Sequence, residues 1–447
     1  MITADESRTR RSRWMTVITV AALLGLSGAE IRRMNRPYEH DYHGHLLAWF
    51  ALMSENMVQD GFVETRFMPV LNPEPETYPN FRWYCTHPVL DVVLRAALVK
   101  VFGPHEWVMR LQGLVGCFGA ALLLFFIAKE LGMAPAAAGA AVFGMVGVPL
   151  FLRLAHLSMH HPMTLFSGLL AILCYLRLRE GRRPLSALLL PVALLAGMQF
   201  DWAGYFVPLI LWMVEILTRR RPAYVFGIPV LVFLSILWVW IHVDLIARVP
   251  RGLLEALRSA AVTQVESLSP AQWFERVWQY QLFSYGWVAI GAVGFAGLVS
   301  LRSVNALKTR FLPWLAALAW GALNLAAFPS KAPFHDFWGC YWLPLAGLSF
   351  GITAEVLIAV LKAVRIRNAP WLVLGLAIGI AAALLIMTPE NELAIASGQQ
   401  MKETAAEVRA MIPPEDRGII VSNYKEGRLD PLIFAAYTRM NVDMVPG

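Results

Sequence analysis

Apolar stretches of roughly 15 to 20 residues recur along most of this 447-residue chain, and each is long enough for a helix to cross a bilayer. A soluble core is built from elements that keep a polar face toward water, and these stretches keep none. Composition agrees: 57% of the residues are hydrophobic and only 15% are charged, where a soluble domain carries about 25% charged residues. The expected fold class is an all-α polytopic membrane protein.

Eleven candidate spans fall at residues 14–29, 106–128, 133–150, 162–175, 184–200, 203–217, 223–241, 286–301, 311–328, 338–361 and 370–387. Arg8, Arg10, Arg11 and Arg13 precede the first, which lacks a convincing small-residue cleavage site and reads as a retained signal anchor with a cytoplasmic N-terminus. From that start, alternate connections carry Lys129; Arg177, Arg179, Arg182 and Arg183; Arg219, Arg220 and Arg221; Arg302, Lys308 and Arg310; and Lys362, Arg365 and Arg367. This is the positive-inside pattern sustained along the chain. The net charge of +7 therefore marks a cytoplasmic face and not a nucleic-acid partner. The Ala-, Leu-, Arg- and Gly-rich texture points to a bacterium, so the expected location is the inner (plasma) membrane.

The same count puts nearly all polar loop material outside. Residues 30–105 form a long first outer loop, connections near 153–161, 200–202, 242–285 and 329–337 follow, and the tail from 390 makes the C-terminus periplasmic. All 10 histidines lie in these segments or at outer helix ends. Long connections tend to carry binding or catalysis, so the outer face is the expected working face. Residues 44–61 and 88–102 have amphipathic helical spacing suited to the membrane surface, and 253–283, with Trp273, Phe274, Trp278 and Tyr280, suits interfacial depth. The expected organisation is a membrane domain over 1–389 and a small outer α/β segment over 390–447, with a helix at 391–411, a strand-like run at 418–423 and a helical stretch at 431–437. Cys117 and Cys174 lie inside spans; Cys85 and Cys340 lie outside, as reduced packed thiols by default or as a bridge if they meet.

The first chemical cluster is Glu39-His40-Asp41-Tyr42-His43-Gly44-His45. An acid here can act as a general base at the outer leaflet, deprotonating a hydroxyl that attacks an activated carbon; a solvated loop explains the same residues. Further on come Tyr84-Cys85-Thr86-His87-Pro88-Val89-Leu90, then Gly103-Pro104-His105-Glu106-Trp107-Val108-Met109-Arg110-Leu111, and a late outer loop Pro329-Ser330-Lys331-Ala332-Pro333-Phe334-His335-Asp336. Asp201 at the outer end of the fifth span is either a substrate contact or a wet hairpin carboxylate, and His160-His161-Pro162 reads most simply as a helix cap.

These motifs, in this order, resemble the GT-C-type integral membrane glycosyltransferases, the broad group that is protein-mannosyltransferase-like and aminoarabinose-transferase-like. In that group an acidic motif follows the first helix, a His-Pro-Pro-Leu-like turn precedes an interfacial helix, and a Gly-x-x-Glu-x-x-x-Arg-Leu-like entry opens the next span. This chain departs in having Tyr42 where many relatives have a second acid, and Val89 for the second proline. The resemblance implies sugar transfer from a polyprenyl-phosphate donor to a glycan, lipid or protein acceptor, with Asp41 as the catalytic base and inversion at the anomeric carbon.

A phosphate leaving group needs cationic partners. Arg110, one turn inside the second span, is the first candidate, with a snorkelling anchor as its other reading. Lys331 follows, and His43, His87, His335 and Asp336 complete the expected substrate contacts. Asp41, His43, His87, His160, His161 and His335 are also ligand types suited to a divalent metal ion, with Asp41, His43 and His335 the leading candidates, and the group's known members include both metal-dependent and metal-independent enzymes. Two other readings stay open on the sequence: a polytopic transporter or flippase, and a non-catalytic membrane assembly protein built on the same fold.

Overall fold

The structure, a computed structural model, describes residues 4–39, 42–71, 83–157, 159–181, 184–218, 221–250, 252–262, 268–302, 304–387, 392–411, 420–423 and 442–445. Its helices run in chain order as α1 (Ala4–Ile31), α2 (Tyr42–Asp60), α3 (Leu90–Phe102), α4 (Glu106–Glu130), α5 (Pro135–Val146), α6 (Pro149–His156), α7 (His160–Arg179) and α8 (Pro184–Phe200). They continue as α9 (Phe206–Thr218), α10 (Pro222–Trp240), α11 (Gly252–Val262), α12 (Pro270–Arg302), α13 (Val304–Ala327), α14 (Leu343–Ala363), α15 (Ala369–Met387) and α16 (Glu392–Met411).

Each expected apolar run coincides with a helix. Among the described residues, 7 helices are long and apolar enough to cross a membrane, those of α1, α4, α7, α10, α12, α14 and α15, while α8, α9 and the latter part of α13 are shorter apolar helices. The expected straight span at 133–150 is instead the pair α5 and α6, bent by 65°. Pro149 is the reason: it has no N–H to continue the ladder, and it holds Val148 in an extended conformation (φ −74°, ψ 127°). The run expected at 286–301 joins the aromatic interfacial segment before it in one long α12, broken at Gly286, whose φ of 69° a side chain would resist.

Packing follows side-chain size. The alanine-rich α5 lies against α14 and α15, and α4 packs on α7, α5 and α6; Ala136, Ala137, Ala138 and Ala141 are buried, because without a hydrophobic drive between helices in lipid it is small residues that allow close van der Waals approach. By contrast α10 exposes Phe226, Val230, Phe233 and Trp238, the surface a lipid-facing helix needs.

The outer-loop helices differ from the surface-lying pair that their spacing suggests. α2 is buried on nearly every side, with Ala48, Ala51, Met53, Ser54 and Met57 all fully buried, and α3 packs against it. Protein covers the face that amphipathic spacing assigns to water. In the C-terminal segment β1 (Ile420–Asn423) pairs in parallel with β2 (Val442–Val445), and the helix expected at 431–437 lies outside the described residues. All four cysteines are free and buried, so Cys85 and Cys340 are packed thiols.

Candidate active site

Helix ends and two loops converge on one cavity of about 1720 Å³. Residues 83–87 of the first loop form one wall. They are held by an isolated bridge between Val70 and Trp83, and by Trp202 Nε1, which donates to the Thr86 carbonyl at 2.8 Å. That second bond ties the His87 segment to the α8–α9 junction. The late loop is anchored by Asn324 Nδ2, which donates to the Trp338 carbonyl at 2.9 Å, and it brings Lys331 and His335 to the cavity wall.

Asp201 is the centre of the polar end. It follows α8, 3% exposed, and its two oxygens are shared among separate partners. Oδ2 accepts from the Tyr341 hydroxyl at 2.6 Å and lies 3.2 Å from His161 Nδ1; Oδ1 lies 3.2 Å from His87 Nδ1. His160 Nε2 stands 3.6 Å from Oδ1, beyond hydrogen-bond reach, and neither of its ring nitrogens has a hydrogen-bond partner. Its ring stacks on His87 with centroids 4.2 Å apart. Burial makes the Asp201 charge costly, but the imidazoles of His160, His161 and His87 together outweigh that and hold the carboxyl well below the usual carboxylate range.

One donor atom from each of His87, His160 and Asp201 lies within 4.8 Å of the others, with His87 Nδ1 and His160 Nε2 3.2 and 3.6 Å from Asp201 Oδ1. Tetrahedral ligands about 2.0–2.1 Å from zinc are themselves a little over 3 Å apart, so two of these separations already match. The orphaned buried nitrogens of His160 supply the observation of fit: a polar group of that kind costs free energy unless something pairs with it. The donor set therefore suits a divalent ion with an open position; His87 and His160 are among the ligand types read from the sequence, and Asp201 is the addition.

Of the residues singled out in the sequence, Asp41 lies outside the described residues. His43 lies in the first turn of α2. His87 belongs to the central cluster, and Lys331 and His335 line the cavity. Burial, with Lys331 and His161 nearby, lowers the His335 imidazole to about 4. Asp336 is engaged by the Arg153 guanidinium, which also packs over the Phe283 ring. Arg110 is placed elsewhere: its guanidinium, 3% exposed, donates to the carbonyls of Met34, Arg36 and Pro37 at 2.9, 2.5 and 3.0 Å. Those bonds answer the cost of burying an arginine at that depth without a phosphate. The sequence reading underrated Asp201, His160 and His161. A signal was present in the coincidence of an acid and a histidine pair at the ends of neighbouring apolar runs.

The other wall is apolar. Trp212 of α9 and Ile228, Pro229, Val232, Phe233 and Ile236 of α10 line it, and Phe233 and Ile236 are 63% and 48% exposed on the outer surface of the bundle. A residue that lines a cavity and is also exposed on a lipid-facing helix marks a lateral opening toward the bilayer.

The fold is similar to those of two proteins of known structure. ArnT, an aminoarabinose transferase from Cupriavidus metallidurans, superposes with a TM-score of 0.63 in its undecaprenyl-phosphate complex, at 14% identity over 96% of this chain and 85% of that one. Its apo form gives 0.61 over the same shares at the same identity. The oligosaccharyltransferase of Archaeoglobus fulgidus, in complex with Zn and sulfate, gives 0.57 at 16% identity over 95% of this chain and 62% of its own. No protein family and no curated protein matches the chain by sequence.

Proposed function

We propose that this protein is a glycosyltransferase that moves a sugar from a polyprenyl-phosphate-linked donor to an acceptor at the outer face of a bacterial inner membrane. The observation that carries the reading is the polarity gradient of the cavity, from an imidazole, carboxylate and ammonium end to an apolar wall that opens sideways on α10. A phosphate-headed isoprenoid has that same gradient, and an amphiphile enters such a site from the membrane without leaving it. The likeness in fold to ArnT bound to undecaprenyl phosphate supports the choice of lipid.

In this reading Asp41 takes the proton from the acceptor hydroxyl. The hydroxyl oxygen then attacks the anomeric carbon, the bond from that carbon to the phosphate oxygen breaks, and the electron pair leaves with the polyprenyl phosphate. Attack opposite the leaving group inverts the anomeric centre. Asp201 is a poor base for this step, because the Tyr341 hydroxyl and His161 already hold its Oδ2 and its carboxyl is held low; it orients the histidines instead. Lys331 and His87 face the departing phosphate. A divalent ion held by His87, His160 and Asp201 would add positive charge there.

The test is transfer from a panel of radiolabelled polyprenyl-phosphate sugars by the purified full-length protein in detergent, wild type beside Asp41→Asn, with and without chelator. Transfer that disappears in the variant supports the base, and its loss on chelation supports the ion. Donor binding without transfer from any sugar would move the assignment to a membrane assembly protein.

A further inference from the structure

The loop that brings Lys331 and His335 to the cavity wall is backed by residues of α12 and α6, none of which lines the cavity. Its start is held by Trp273 Nε1, which donates to the Pro329 carbonyl at 2.6 Å, and its end by the Tyr285 hydroxyl, which donates to the Gly339 carbonyl at 2.6 Å. Between these, the Arg276 guanidinium lies over the Phe334 ring, and Gln281 packs so closely on Gly339 that a Cβ there would overlap its amide. Trp273, Val277, Gln281 and Ser284 follow one another at helical spacing and so share one face of α12. An ionic contact comes from a third element. Arg153 of α6 engages the Asp336 carboxylate, with side chains 19% and 13% exposed, and donates through its other terminal nitrogen to Ser284 Oγ at 3.4 Å. Ser284 Oγ in turn donates to the Asp336 carbonyl at 2.9 Å. Inside the loop, the Phe334 and His335 N–H groups donate to the Lys331 carbonyl at 3.0 and 3.2 Å, so Lys331 and Asp336 belong to one hydrogen-bonded turn.

We propose that Arg153 is a positioning residue for the transfer reaction: by latching Asp336 and Ser284 together it locks the late loop onto α12 and α6 and so fixes Lys331 in the cavity wall. The inference rests on the sugar-transfer reading above, in which Lys331 faces the departing phosphate. The bonds at Pro329 and Gly339 hold the two ends of the loop, and Arg153 holds its middle, five residues from Lys331. A planar guanidinium reaches the carboxylate and the hydroxyl at once, which one ammonium does less well. The pair is largely removed from water, so its attraction is little screened, and removing the arginine leaves the Asp336 carboxylate without that partner. A loop that shifts to rehydrate this carboxylate carries Lys331 with it through the shared turn, and a small misplacement of a charge-stabilising group is expensive in rate.

Arg153→Gln, Lys331→Ala and the double variant of the full-length protein test it, with a radiolabelled polyprenyl-phosphate sugar as donor. We expect kcat/KM to fall about 10-fold in Arg153→Gln. The double variant should lie within about 2-fold of Lys331→Ala, because a positioning residue loses its effect once the group it positions is gone. Hydrogen exchange over residues 331–338 should speed up about 10-fold in Arg153→Gln. Unchanged kcat/KM or unchanged exchange in that variant would overturn the latch. So would losses that multiply in the double variant, since general damage to the fold acts whether or not Lys331 is present. Ser284→Ala, which removes the hydroxyl and keeps the ion pair, serves if Arg153→Gln does not fold, with the same readouts moving in the same direction by less. If the wild type itself transfers no sugar, the sugar-transfer reading fails, while the exchange rates and the polyprenyl-phosphate affinities of the same proteins still decide the latch.

Discussion

The Tyr341 hydroxyl donates to Asp201 Oδ2 at 2.6 Å, joining the turn before α14 to the turn after α8 across 140 positions of sequence. This bond, with the stack of Tyr341 on Trp320 at 5.0 Å, holds the carboxylate around which the three histidines gather. Tyr341→Phe keeps the ring and removes the donor. Melting in detergent should show a loss of about 1–3 kcal/mol for the under-satisfied buried carboxylate, and transfer should fall about 10-fold while donor affinity changes little.

Asp201→Asn preserves shape and removes the charge. Zinc or manganese titrated into the purified protein should bind about 10- to 100-fold more weakly in this variant, and His160→Gln should behave alike, because each removes one donor of the set. Equal metal affinity in wild type and both variants would sink the assignment of these residues as ligands.

Beside the site, Asp91 and Arg95 form a fully buried pair at 2.8 Å, and Arg95 also donates to Gln112 at 2.9 Å and lies over the Phe50 ring. Asp91→Ala leaves an unpaired guanidinium and should cost about 3–5 kcal/mol; the double replacement Asp91→Leu with Arg95→Met should cost much less, since a buried pair barely outweighs its own desolvation. Thermal melting of the three variants decides it.

His335 gives a pH dependence of definite sign. Its folded value is about 4 against an ordinary 6.5, so between those values the unfolded chain binds a proton that the folded protein does not. Stability therefore rises with pH through this window, and its contribution is complete above 6.5 and lost as pH falls toward 4. Melting temperature followed from pH 7.5 to 4 should decline less steeply in His335→Gln than in wild type.

Lys331, in the cavity wall, is expected to meet the donor phosphate. Lys331→Ala should weaken polyprenyl-phosphate binding by about 10-fold and reduce its salt dependence, measured with and without 0.5 M added salt as an order-of-magnitude contrast.

The sequence by itself determined where the helices are. An apolar run in a membrane must satisfy its backbone internally, so its length alone dictates a helix, and the runs behind α4, α7, α10 and α14 are legible without any partner. Its motifs also carried the resemblance that the fold likeness supports. Pro149 was equally visible, although the 65° bend it makes is a feature of the folded structure. What only the tertiary structure decided is which polar residues meet. His87 and Asp201 are 114 positions apart and His161 and Asp201 are 40 apart, so their encounter depends on how α7, α8 and the first loop pack, and no local spacing encodes it. The same is true of Arg110, whose depth suggested a phosphate partner and whose partners are the carbonyls of residues 34, 36 and 37. A buried charge advertises its need for partners in the sequence; which groups supply them is a matter of where the fold brings the chain back.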